Sequence, residues 1–235
     1  MSKAASELIL NNDGSIYHCN IRPEHVADLI LTVGDPDRVK EVSKYFDEIE
    51  FKTQKREIVT HVGTFNGKRI TVISTGMGTD NIDIVLNELD ALANIDLATG
   101  QIKSDLRKLQ IVRLGTSGSL HADIPVDSFV TSSHGLGFDG LMYFYEGTEK
   151  ILDDELSQAF IEHSNWDKRK PLPYFVEGSK SLLETLSSDR TNSGITATAT
   201  GFYGPQGRTR WQGFAAVPAA SVIWTSWTTA SRLTW

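Results

Sequence analysis

The chain holds one cysteine, Cys19, in 235 residues, so no intrachain disulfide can form and a reducing compartment, the cytoplasm, is expected. Basic residues are outnumbered, 23 against 30 acidic, and the net charge of -7 argues against a nucleic-acid surface. Each arginine is therefore read in its local setting. No uninterrupted apolar run is long enough to cross a bilayer, and Met1 to Glu7 lacks the apolar core of an export signal, so no membrane role is expected. His25, His61, His121, His134 and His163 show no metal-ligand spacing. Acidic residues also stop early: none follows Asp189, and no glutamate follows Glu184. Trp211, Trp224, Trp227 and Trp235 crowd into that same acid-free end, where no strand or helix period is visible and Pro218 interrupts the one apolar stretch. Residues 209–235 are set apart as an atypical tail on a single domain over 1–208.

The remainder, 40% hydrophobic over the whole chain, has the material for a sizeable core. Leu29 to Val33 has the length and β-branched content of a buried strand and runs into Gly34-Asp35-Pro36-Asp37-Arg38. Glycine permits close backbone approach, proline suits a first helical turn, and the N–H groups of a helix start attract anions, to which Arg38 adds a planar fork of donors. The same logic recurs where Ile111-Val112-Arg113-Leu114 enters Gly115-Thr116-Ser117-Gly118-Ser119. Either loop alone reads as an ordinary turn; together they point to a phosphate.

Between them, Asp37 to Phe46 predicts a surface helix with Val39, Val42 and Phe46 on one face. Ile58–Val62 and Lys68–Ser74 flank Asn66-Gly67, the dipeptide of a tight hairpin. A helix is expected over Asn81 to Asn94, with strands at Leu109–Leu114 and Ser128–Ser132. Gly135 to Gly147 reads as a glycine-rich aromatic loop, either folded on the core or a lid, before helices over Asp153–His163 and Ser179–Leu186. The order of elements predicts an α/β sheet with helices packed on it and ligands at its glycine-marked strand ends.

With Lys55-Arg56-Glu57, Ser74-Thr75-Gly76-Met77-Gly78 and Gly201-Phe202-Tyr203-Gly204-Pro205-Gln206-Gly207-Arg208 added to those two loops, the chain from about Ile16 to Arg208 resembles the nucleoside phosphorylase family, and most of all its uridine phosphorylase branch. The resemblance implies a three-layer α/β/α fold with a central mixed sheet, its C-terminal elements missing here. It implies phosphate-dependent cleavage of the N-glycosidic bond of uridine, inorganic phosphate being a co-substrate and no metal or organic cofactor taking part. Carried over by residue, Gly34, Arg38, Arg56, Arg113 and Thr116 would hold phosphate, with Arg113, Thr116 and Arg208 named as catalytic. Phe202, Gln206 and Arg208 would hold the base, and an amide with a guanidinium suits uracil over a purine. His18 would reach the ribose of a neighbouring subunit, which requires a homo-oligomer, dimer or hexamer. The family's Glu-Met-Glu ribose motif is absent. Purine nucleoside phosphorylase and a catalytically impaired ligand-binding homologue without a ribose site stay as alternatives, and the tail reads as a divergent or out-of-frame ending.

Overall fold

A computed structural model describes residues 7–207 and the backbone of 233 and 234. The chain divides into two compact units, Met1–Gly115 and Thr116–Trp235. The boundary expected after Arg208 lies outside the described residues.

The first unit is organised by β1 (Leu29–Val33), the short helix α1 (Pro36–Ser43), β2 (Glu48–Lys55), β3 (Ile58–Phe65), β4 (Lys68–Ser74), α2 (Thr79–Asn94), a two-stranded ribbon of β5 (Ile95–Asp96) and β6 (Gln101–Ile102), and β7 (Gln110–Leu114). Its five-stranded sheet has the order β2-β3-β4-β1-β7. β1 runs parallel to both neighbours, with Val33 level with Ser74 on one side and Leu114 on the other, so three strands end together. β2, β3 and β4 are antiparallel, which makes the sheet mixed.

Alternation along β1 explains the layers. Leu31 and Val33 face α1 in a cluster with Val39, Val59 and Val72. Ile30 faces the other way, toward Val85, Leu89 and Leu92 of α2 with Ile58 and Ile73. A strand buried on both faces must carry apolar residues at successive positions, as this one does. The result is the expected α/β/α arrangement.

Asn66 and Gly67 both take positive φ, 49° and 71°, the backbone of the predicted hairpin turn. Two boundaries differ from expectation. The first helix stops at Ser43, and Phe46 closes it through a turn, its N–H bonding Ser43 O, while its ring still packs on the α1 face. β2 was not anticipated, although Glu48 to Lys55 alternates exposed and half-buried residues as an edge strand should.

The second unit contains β8 (Phe129–Gly137), α3 (Asp154–Ser164), β9 (Tyr174–Glu177), α4 (Lys180–Leu186), β10 (Thr191–Thr198) and β11 (Leu233–Thr234), with sheet order β11-β10-β8-β9. Asp153 and Ser179 cap the two helices by accepting from Leu156 N and Leu182 N. The loop expected from Gly135 is corrected, because β8 runs on through Gly137. There a Cβ would lie 2.3 Å from the Tyr174 ring, so only glycine fits beside that ring. Phe138 is core rather than lid: it stacks on Trp166 at 5.1 Å and sits beside the buried Phe160 and Phe175. Leu141 to Phe144 form one 3₁₀ turn in which Phe144 stays exposed.

Candidate functional site

The common end of β4, β1 and β7 gathers Gly34, Arg38, Thr75, Gly76 and Arg113. Arg113 projects from β7 opposite Thr32, and its Nη1 donates to Thr75 Oγ1 at 3.2 Å. Thr75 is itself anchored, since its N–H donates to Val33 O at 2.8 Å and its hydroxyl lies 3.0 Å from Gly76 O. Arg38, on the first turn of α1, directs Nη1 toward Leu114 O at 3.4 Å. A side chain at position 34 would place its Cβ 3.2 Å from Arg113 Nη2 and 3.6 Å from Gly76 O. Gly34 thus keeps the floor of the site open for the guanidinium.

Carboxylates stand nearby, Glu57 beside Gly76 and Asp35 at the start of α1, yet they leave the two arginines unpaired. Among the described residues, neither Arg38 nor Arg113 forms an ion pair. Partial burial first, and then repulsion from Arg38, push the Arg113 pKa down. Two guanidinium groups of this kind repel each other, and a multivalent anion between them would relieve that repulsion.

The helix start contributes less than expected. Asp35 caps α1 by accepting from Asp37 N at 3.0 Å, and Arg38 N bonds Asp35 O at 3.1 Å. The N–H groups of Asp37 and Arg38 are therefore already occupied. Arg56 is exposed at positive φ, 54°, in the turn between β2 and β3. Its turn lies at the same end of the sheet, and β3 is two strand spacings, roughly 10 Å, from β1.

His18 lies apart from these groups. Its Nδ1 is 2.6 Å from Glu88 Oε1 on α2, and Glu88 also accepts from the backbone N–H groups of His18 and Cys19. Burial first, and then the Glu88 charge, push the Cys19 thiol well up, which keeps it protonated.

Thr116, Phe202 and Gln206 belong to the second unit. Thr116 is exposed at its start. Phe202 and Gln206 lie in the turn-rich 201–207 stretch, where Phe202 is 58% exposed and meets Tyr203 edge-on at 5.2 Å. Arg208 is outside the described residues. Sequence reasoning gave no role to Thr75 or Glu88. Thr75 stood inside a quoted motif, whereas Glu88 carried no local signal.

No helix among the described residues is long and apolar enough to cross a membrane. A family model, the phosphorylase superfamily, matches residues 28–229, running past Arg208 into the segment set apart by composition. A nucleoside phosphorylase of Trypanosoma brucei, whose crystal structure is described as showing uridine phosphorylase activity, is 30% identical with a TM-score of 0.82, covering 96% of this chain and 82% of that one. A uridine phosphorylase of Thermococcus kodakarensis is 28% identical over 204 residues, 86% of this chain and 61% of the relative. A DeoD-type purine nucleoside phosphorylase of Bacillus velezensis is 31% identical over 110 residues, 46% of this chain and 42% of the relative. The chain therefore spans less than two thirds of the length of these two curated relatives. An α/β/α layering with an arginine-lined strand end, joined to a family match over most of the chain, leads to one conclusion: this chain belongs to the phosphorylase superfamily.

Proposed function

We propose that this protein is a uridine phosphorylase, a pentosyltransferase that cleaves uridine with inorganic phosphate to uracil and ribose 1-phosphate in pyrimidine salvage. The observation that carries the reading is the Arg38–Arg113 pair, two cations without an ion-pair partner among the described residues, beside the glycine floor at Gly34. Similarity to the Trypanosoma and Thermococcus proteins supports uridine as the substrate.

In this reading phosphate, held by Gly34, Arg38, Arg113 and Thr116, attacks the anomeric carbon as the glycosidic electron pair leaves with the base. Positive charge grows on the sugar beside the phosphate, and negative charge grows on uracil, where Gln206 and Arg208 stabilise it and Phe202 packs on the nucleoside. No metal or organic cofactor is needed for that step. Arg56 completes the phosphate set, and His18 is read as a contribution to the site of a neighbouring copy in a homo-oligomer. The single cysteine supports a cytoplasmic setting.

One competing reading is a homologue that binds phosphate without gripping ribose. The test is uracil release from uridine by the purified protein, with and without phosphate, with inosine alongside. Phosphate-dependent uracil release establishes the uridine reading, and inosine turnover alone moves the assignment to purines. Phosphate binding without turnover of either nucleoside assigns the impaired homologue.

A further inference from the structure

Glu88 is an α2 carboxylate whose side chain is only 13% exposed, and it gathers donors from one short stretch of chain. His18 N lies 3.0 and 3.1 Å from its two oxygens, Cys19 N lies 2.7 Å away, and His18 Nδ1 lies 2.6 Å away. A carboxylate so surrounded accepts from all three nitrogens, so Nδ1 carries a hydrogen, and in the neutral form of the ring the lone pair lies on Nε2. The ring is held from its other side as well. Tyr17 meets it edge-on at 4.8 Å, and Lys55 Nζ lies 4.0 Å from the Tyr17 ring centroid while donating to Asn11 Oδ1 at 3.0 Å. Nε2 has no partner among the described residues, and the histidine lines a cleft of about 210 Å³ with Glu88, Asn87 and Asp90.

We propose that Glu88 is a positioning residue for His18, fixing the Nδ1–H tautomer so that Nε2 is presented as an acceptor for the 5′-hydroxyl of a nucleoside. This rests on the phosphorylase reading for the identity of the hydroxyl, and on the hydrogen bonds alone for the tautomer. Three N–H donors converge on one carboxylate, whereas structural attachment of the segment needs only the two backbone ones. The third bond selects which ring nitrogen is left to act.

The experiment pairs a spectroscopic signature with a substrate that lacks the hydroxyl. In Glu88→Gln the backbone donors of His18 and Cys19 compete for a single amide oxygen, and Nδ1 loses its fixed acceptor. Ring ¹⁵N shifts of His18 should report the Nδ1–H form in the parent protein and a mixed tautomer in the variant, at unchanged far-UV circular dichroism. The variant should lower kcat/KM for uridine about 3- to 10-fold, the scale of one hydrogen bond, and change 5′-deoxyuridine less than twofold. In a His18→Ala background, Glu88→Gln should have no further effect on uridine. Unchanged ring shifts in Glu88→Gln, or equal losses on both substrates, would overturn the proposal. Absence of any phosphorolysis by the parent protein would sink the phosphorylase reading instead, and the ring spectrum would still decide the positioning role.

Discussion

Two charged clusters in the first unit are built on opposite terms. Around Glu88, one anion is met by three N–H donors and has little left to offer a ligand. Around Arg113, two cations meet a hydroxyl and a carbonyl but no carboxylate. A satisfied cluster holds the fold together, while an uncompensated one of a single sign costs stability and persists where a ligand completes it. The contrast separates a satisfied anchoring cluster from an open cationic one without reference to any relative.

Removing each centre should therefore give opposite results. Arg113→Ala is expected to lower kcat/KM for phosphate about 100-fold or more, as loss of a donor to developing charge does, with an unchanged or raised melting temperature because repulsion with Arg38 is relieved. Phosphate-saturation kinetics with thermal unfolding check this; a clear drop in melting temperature would show that the Arg113 charge is structural. Glu88→Ala should do the reverse to the fold, losing about 2 to 3 kcal/mol by denaturant unfolding as buried donors are orphaned.

Gly34→Ala gives a smaller effect at the boundary of the comparison. The new Cβ at 3.2 Å forces Arg113 Nη2 to give by a few tenths of an ångström, so the phosphate KM should rise several-fold with stability nearly constant. An unaltered phosphate KM would mean that Arg113 has slack the structure does not suggest.

The smallest effect concerns one buried and one half-buried imidazole rather than either cluster. His61 bonds Ser43 Oγ at 2.7 Å, and its pKa is depressed by burial first and then by Lys52 and Lys40. His25 accepts from Arg22 N at 3.1 Å and stacks on Phe51 at 3.6 Å, and burial is the largest cause of its depression, with Arg22 and Arg69 acting the same way against Glu24. A folded-state pKa below the unfolded value of about 6.5 means that the unfolded chain binds more protons as pH falls. Stability should be level above that value and decline below it, and His61→Gln should flatten the decline in a pH series of unfolding midpoints.

Much of this was legible beforehand for a physical reason. β1 and its glycine turn are short-range features, encoded by a run of apolar residues and by the backbone needs of Gly34. The Asn66-Gly67 hairpin is equally local. Edge strand β2 was overlooked because its apolar positions, Ile49 and Phe51, are diluted by charge, and β10 because Thr, Asn and Ser dominate it. Helix capping by Asp35 was not legible from its position. An aspartate at that position competes with a ligand for the same N–H groups, and sequence shows the residue without the outcome of the competition.

Sequence by itself determined the alternation that buries β1 on both faces, the turn chemistry around it, and the placing of Arg38 just past its C-terminal end, because each depends on neighbours a few residues away. Only the tertiary structure decided that Arg113 rests on Thr75 beside Gly34, that Arg56 stays outside that contact, and that Glu88 takes hold of His18 from 70 residues away. Those pairings depend on strand order and helix placement, and no local pattern encodes which distant residue will share a hydrogen bond.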